Sequence, residues 1–123
     1  MVEDDAGKGR VVYISFSKKN PGQRFKAMRL ATERKMLPVY PGIVSDLAQV
    51  DAAKDKEARD KERWEQIKKS SEIWVVGEIS REMAEDIELA KRLAKRIRYF
   101  EPAQADADLK EIDAASAKKE RFF

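Results

Sequence analysis

Short runs of β-branched and aromatic residues recur along this 123-residue chain, each followed by a polar turn and a segment of helical periodicity. That alternation constrains the fold more than any other feature. Strands that keep alternating with helices cannot form a bundle or an all-β sandwich, because each strand must be reached by a crossover helix. They predict a small α/β sandwich around a mostly parallel sheet of four or five strands. The length suits one domain with a modest core.

The first strand is expected at 10–16 (RVVYISF). In the turn that follows, Asn20 can cap a helix and Pro21 suits its first position, where a missing N–H costs nothing. Phe25, Ala27, Met28 and Ala31 supply the inward face of that helix to about Arg34. A second strand is read at 36–40, where Pro38 favours an edge or a strand end. Pro41-Gly42 makes a turn, and 43–53 a short helix. The stretch 54–69 mixes seven bases with five acids around a thin apolar stripe of Ala58, Trp64 and Ile67, the pattern of a surface helix with local ion pairs. A third strand at 73–76, a helix over 80–95 and a fourth strand at 96–100 complete the domain over 10–100. Residues 1–9 are polar and read as a flexible segment. The alanine-rich stretch 101–123 reads as a helical extension anchored by Leu109 and Ile112, suited to docking on a neighbouring subunit.

Composition removes several chemistries. With no cysteine and no histidine, disulfides, thiolates, Cys/His zinc sites and histidine relays are excluded. No cofactor or metal is called for. The net charge of +3 arises from interleaved charges, which argues for ordinary solubility and against a nucleic-acid partner. No apolar run approaches the ~20 residues of a membrane span, and no signal peptide precedes the fold, so a cytoplasmic protein is expected. Neither a Walker-type loop nor a GxGxxG fingerprint is present.

Asp86 breaks the pattern informatively. It falls inside the apolar arc of Met83, Ile87, Ala90, Leu93 and Ala94, while Glu85 and Glu88 point away. A carboxylate sheltered beside a strand–helix junction has a raised proton affinity and can do chemistry; one at the rim merely caps or pairs locally. In parallel sheets, ligands bind beyond the carboxyl ends of the strands. That brings Tyr13, Ser15, Ser17 and Asn20, then Pro41 and Gly42, then Gly77, Glu78, Ser80, Glu82 and Met83 into consideration. Tyr13 is either a core tyrosine or a site group. Ser15 and Ser17 can donate to a ligand, Asn20 is a cap or a ligand, and Glu78 is the best second carboxylate. Ser80 is the N-cap of the helix carrying Asp86. Glu82 and Asp86, four residues apart, either divide protonation states between them or pair with Arg81 or Lys91.

These residues also carry a resemblance. Val12-Tyr13-Ile14-Ser15, Leu37-Pro38-Val39-Tyr40-Pro41, Ser71-Glu72-Ile73-Trp74-Val75-Val76-Gly77, then Ile79-Ser80, Met83, Asp86-Ile87, Ala90 and Ile97-Arg98-Tyr99-Phe100 resemble, in spacing, small bacterial and phage domains related to nucleoside 2-deoxyribosyltransferases. The resemblance covers roughly residues 10–100. It implies a flavodoxin-like (Rossmann-like) three-layer sandwich, a homo-oligomer, and a nucleoside or nucleotide ligand. The catalytic relatives carry a Y-x-A-G-P motif and a glutamate nucleophile within S-x-G-M-x-x-E-I-x-x-A. The nucleophile position here is Asp86, with Tyr13 to orient it and Glu78 or Glu82 to protonate a departing base. The match departs at three points: aspartate is one methylene shorter, Glu82 replaces a glycine, and Phe16-Ser17 replaces Gly-Pro. A displacement of ~1 Å can cost on the order of 100-fold in rate. The expected activity is N-glycosidase or deoxyribosyl transfer. The alternatives are a noncatalytic module binding a nucleotide-like ligand or a protein, and a structural oligomerising protein.

Overall fold

The computed structural model describes residues 10–17, 22–40, 56–103 and 109–120. The segment 1–9, the Asn20 cap with Pro21, the Pro41-Gly42 turn and the helix at 43–53 lie outside them. The elements are β1 (Val11–Phe16), α1 (Gly22–Glu33), β2 (Leu37–Val39), α2 (Lys56–Lys69), β3 (Glu72–Val76), α3 (Arg81–Arg92), β4 (Arg96–Pro102), β5 (Leu109–Ile112) and a 3₁₀ turn at Ala114–Ser116.

The five-stranded sheet has the order β2-β1-β3-β4-β5, the doubly wound order of flavodoxin-like folds. β1 pairs in parallel with β2 (Tyr13 opposite Val39) and with β3 (Ser15 opposite Val75), and β3 pairs in parallel with β4 (Val75 opposite Tyr99). Only β5 is antiparallel, with Tyr99 opposite Ile112 and Pro102 opposite Leu109.

Alternation along the strands creates two cores. Val12, Ile14, Trp74, Val76 and Phe100 face α1, whose small inward residues Ala27 and Ala31 let helix and sheet approach closely. On the other face Tyr13 and Ile73 meet Ile67 of α2 and Ala90 of α3, and Val75 meets Met83 and Ile87. All five residues of β3 are buried, as expected of a central strand covered on both faces. Its first residue, Glu72, is only 2% exposed, accepting a hydrogen bond from Trp74 Nε1 at 2.7 Å and pairing with Arg10 at 3.5 Å.

Helices α1 and α3 stop in the same way. Lys35 (φ 60°) and Ala94 (φ 55°) take left-handed backbone, letting Met36 N–H reach the Ala31 carbonyl and Lys95 N–H the Ala90 carbonyl, each at 2.9 Å. Ala94 therefore lies outside the helix and is exposed, not on its apolar arc.

Among the described residues of the C-terminal stretch, the α-helix expected from alanine content does not form. Residues 109–112 are β5, and the chain then runs back to the connection between β3 and α3, where Lys119 forms a parallel bridge with Ile79. Helix propensity is a weak term of a few tenths of a kcal/mol per residue. The open edge of β4 offers a ladder of hydrogen bonds, and Leu109 gains a place in the α1-side core. Among the described residues, no helix is long and apolar enough to cross a membrane.

Candidate functional site

Ser80 starts the helix that carries Asp86. Its hydroxyl accepts from Met83 N–H at 3.2 Å, while Met83 Sδ accepts from Ser80 N–H at 3.4 Å, a capping box with a thioether in the usual Glu/Gln position. The cap fixes the rotation of α3, so that Met83, Asp86, Ile87 and Ala90 are buried while Glu82, Glu85 and Glu88 are exposed.

Asp86 is 4% exposed and its carboxylate is completely ligated. Oδ2 accepts from Ser15 Oγ at 2.7 Å and from Tyr13 OH at 3.2 Å, two side chains two residues apart on one face of β1. Oδ1 accepts from Arg63 Nη2 at 2.6 Å and Nε at 2.9 Å. Four donors thus fill the roughly four lone-pair sites of a carboxylate. Arg63 lies one turn before the buried Ile67 on α2, and its side chain is 13% exposed. Its Nη2 also donates to the Glu82 carbonyl at 3.0 Å, and its Nη1 reaches Asp60 and Glu85 at 3.4 Å each.

Burial raises the proton affinity of Asp86, opposed by the Arg63 charge and by the hydrogen bonds from Ser15, Arg63 and Tyr13. Burial and then the Asp86 charge push the Tyr13 phenol well above its ordinary value, so it is a neutral donor. Burial pulls the Arg63 proton affinity down, but the Asp86 charge outweighs it and the net shift is upward. The two partners thus shift as a desolvated acid and a stabilised base. The geometry, an ion pair at 2.6 Å, fixes the charged state of Arg63.

Asp86, Tyr13 and Ser15 therefore converge. Ser17, just past the end of β1, donates instead to Glu120 at 2.9 Å. Ser80 and Met83 are occupied with the helix cap. Glu82, which stands where the resemblance has a glycine and was expected to protonate a departing base, has its side chain exposed and contributes only its carbonyl. Glu78 and Gly77 line a separate hollow of about 250 Å³ at the carboxyl ends of β3 and β4, with Gln23, Glu101, Pro102 and Lys118. Gly77 is needed there: its φ is +82° and a Cβ would collide with Gln23 Oε1. A second hollow, of about 440 Å³, lies along the outer side of α3 and is lined by Ala84, Glu88, Leu89 and Arg92 among others. Asp86 lines neither of these two hollows. Asn20, Pro41 and Gly42 are outside the described residues. Among the described residues, no three acids gather as a metal site requires.

The site residue that sequence reasoning missed is Arg63. It sits in a stretch that reads as a surface helix, and the sequence offers Arg81 and Lys91 as nearer partners for Asp86. The available signal was indirect: an ionised carboxylate inside an apolar arc requires a buried cation.

Comparison with protein-family models, with curated proteins and with solved structures finds no match to this chain.

Proposed function

We propose that this chain is a noncatalytic binding module for a nucleotide-like ligand, built on a deoxyribosyltransferase-like scaffold in which the carboxylate has become a structural clasp. One observation carries the reading: both oxygens of Asp86 are filled by four donors, two of them from a guanidinium. A nucleophile needs a lone pair aimed at the reacting carbon, about 3–3.5 Å away. Here every lone pair has a partner, and the carboxylate is sealed by α2. The clasp ties β1, α2 and α3 together instead.

Chromatography for free base after incubation with a panel of nucleosides and nucleotides tests the reading, alongside thermal unfolding with each compound. The expected outcome is stabilisation by a nucleotide-type compound without base release. Release abolished by Asp86→Ala would overturn it.

A second reading has its own support, because Tyr13 and Ser15 hold a carboxylate at the position the resemblance gives to the nucleophile. In this N-glycosidase or transferase reading Arg63 withdraws and Asp86 Oδ attacks the anomeric carbon. The C–N bond then breaks as the departing base takes a proton from water, because Glu78 lines another hollow and the Glu82 side chain is exposed. Water or another base resolves the ester. Arg63→Met would then raise base release above wild type, whereas the binding reading expects none from either protein.

A further inference from the structure

The charges interleave along most of this chain but not around α1. Residues 18–35 hold seven bases against the single acid Glu33, so the overall +3 conceals a segment of +6 joined to a remainder of −3. Folding puts much of this excess on one layer. α1 turns Ala27 and Ala31 to the sheet, and its 3.6-residue period therefore puts Phe25, Arg29 and the acid Glu33 towards the outside, with Lys26 half-buried beside them. Arg29, Arg34 and Lys35 are all exposed. The other layer, α2 and α3, balances its bases with acids.

An aromatic ring stands among these cations. Phe25 is 61% exposed, yet it is not loose. The Arg24 guanidinium lies 4.8 Å from its ring centre, 4.9 Å from that of Tyr40 and 5.7 Å from that of Phe16. Phe16 and Tyr40 in turn meet edge to face at 5.9 Å. Phe25 is thus buttressed by an arginine wedged against buried Tyr40 and half-buried Phe16 at the carboxyl ends of β1 and β2, where doubly wound folds bind ligands.

We propose that this face binds single-stranded nucleic acid, with a base stacking on Phe25 and the phosphates running past Lys26, Arg29 and Lys35. The inference rests on the binding-module reading and names its partner. A buttressed ring flanked by cations is what sequence-tolerant single-strand binding uses: stacking for the base and a basic track for the backbone. A membrane surface fits less well, because the apolar residues Ala27 and Ala31 point inward and leave α1 without a broad apolar face. An acidic protein partner would want a contiguous apolar core around Phe25, but of its neighbours one turn on, Met28 packs inward against the core and Arg29 is charged.

Fluorescence anisotropy of the full chain with 5′-fluorescein dT20 and U20 tests this. Both oligonucleotides are expected to bind at about 30 mM salt, with log K falling linearly in log salt by roughly 0.7 per phosphate contact, or about 2 for three contacts. The double variant Lys26→Glu/Arg29→Glu is expected to weaken binding at least about 10-fold and flatten that slope. Phe25→Ala should weaken it about 5-fold or more at an unchanged slope. The same charge reversal on the outer face of α3, Arg81→Glu/Arg92→Glu, should do neither, and thermal melts verify that each variant is folded. Absence of binding with about 100 μM protein, an equal loss from the α3 variant, or tighter binding to anionic phospholipid vesicles than to either oligonucleotide would overturn the inference. Stabilisation by mononucleotides without oligonucleotide binding would overturn it while sparing the binding-module reading. Base release would overturn that reading itself.

Discussion

Replacing Arg63 by methionine should cost far more than an ion pair on a surface helix normally could. An exposed pair contributes about 0–1 kcal/mol, because water screens it and long side chains must be ordered. Arg63 and Asp86 side chains are instead 13% and 5% exposed. Removing one partner of a buried pair strands the other charge, at about 3–5 kcal/mol. Asp86 keeps the Tyr13 and Ser15 hydrogen bonds and can take up a proton, so the lower end, about 3 kcal/mol, is expected at pH 7. With an m value of about 1.5–2 kcal/mol/M, the urea midpoint should fall by about 1.5–2 M, read by circular dichroism or by the emission of buried Trp74. Arg63→Met/Asp86→Asn provides the internal check. Asparagine retains an oxygen for both hydroxyls and removes the stranded charge, so at least half of the loss should return. A single-variant cost below about 1 kcal/mol, or a double variant no better than the single, would refute the clasp.

The pH dependence has a definite sign. Asp86 holds its proton more tightly folded than its ordinary 3.8, so its favourable contribution is complete below 3.8 and is lost as pH rises through the raised folded value. Urea curves of wild type and Asp86→Asn between pH 3 and 7 should therefore show the wild type losing ground as pH rises, and the opposite slope would contradict the burial argument. Ala94→Gly should raise the melting temperature by about 2–5 °C, since φ 55° burdens an alanine with roughly 1 kcal/mol that glycine avoids. Gly77→Ala should destabilise by about 1–3 kcal/mol in chemical denaturation, and Gln23→Ala in the same chain should recover the collision but not the φ penalty. Ser80→Ala removes the hydroxyl that caps α3 and should cost about 1 kcal/mol in the same assay.

Strands β1 to β4 and helices α1 to α3 were legible in the sequence because each is long enough to display its period, and because a strand covered on both faces, such as β3, must be apolar throughout. Asp86 was legible as a break in one such period, and Tyr13 and Ser15 as neighbours two apart on one strand face. Arg63 was not. Its partner is 23 residues away across a loop and a strand, and nothing local distinguishes it from the other bases of α2. The C-terminal segment was misread for a related reason: alanine content reports a local preference, whereas β5 forms because β4 presents a free edge.

The order of apolar runs and helical stretches by itself determined that this chain builds a doubly wound α/β layer structure, since short-range periodicity dictates which faces must be hidden from water. Which charge is hidden with them, and whose charge answers it, was decided only when α2 settled over α3 and β1. Electrostatic pairing in a dry interior acts across space, and no spacing along the chain encodes it.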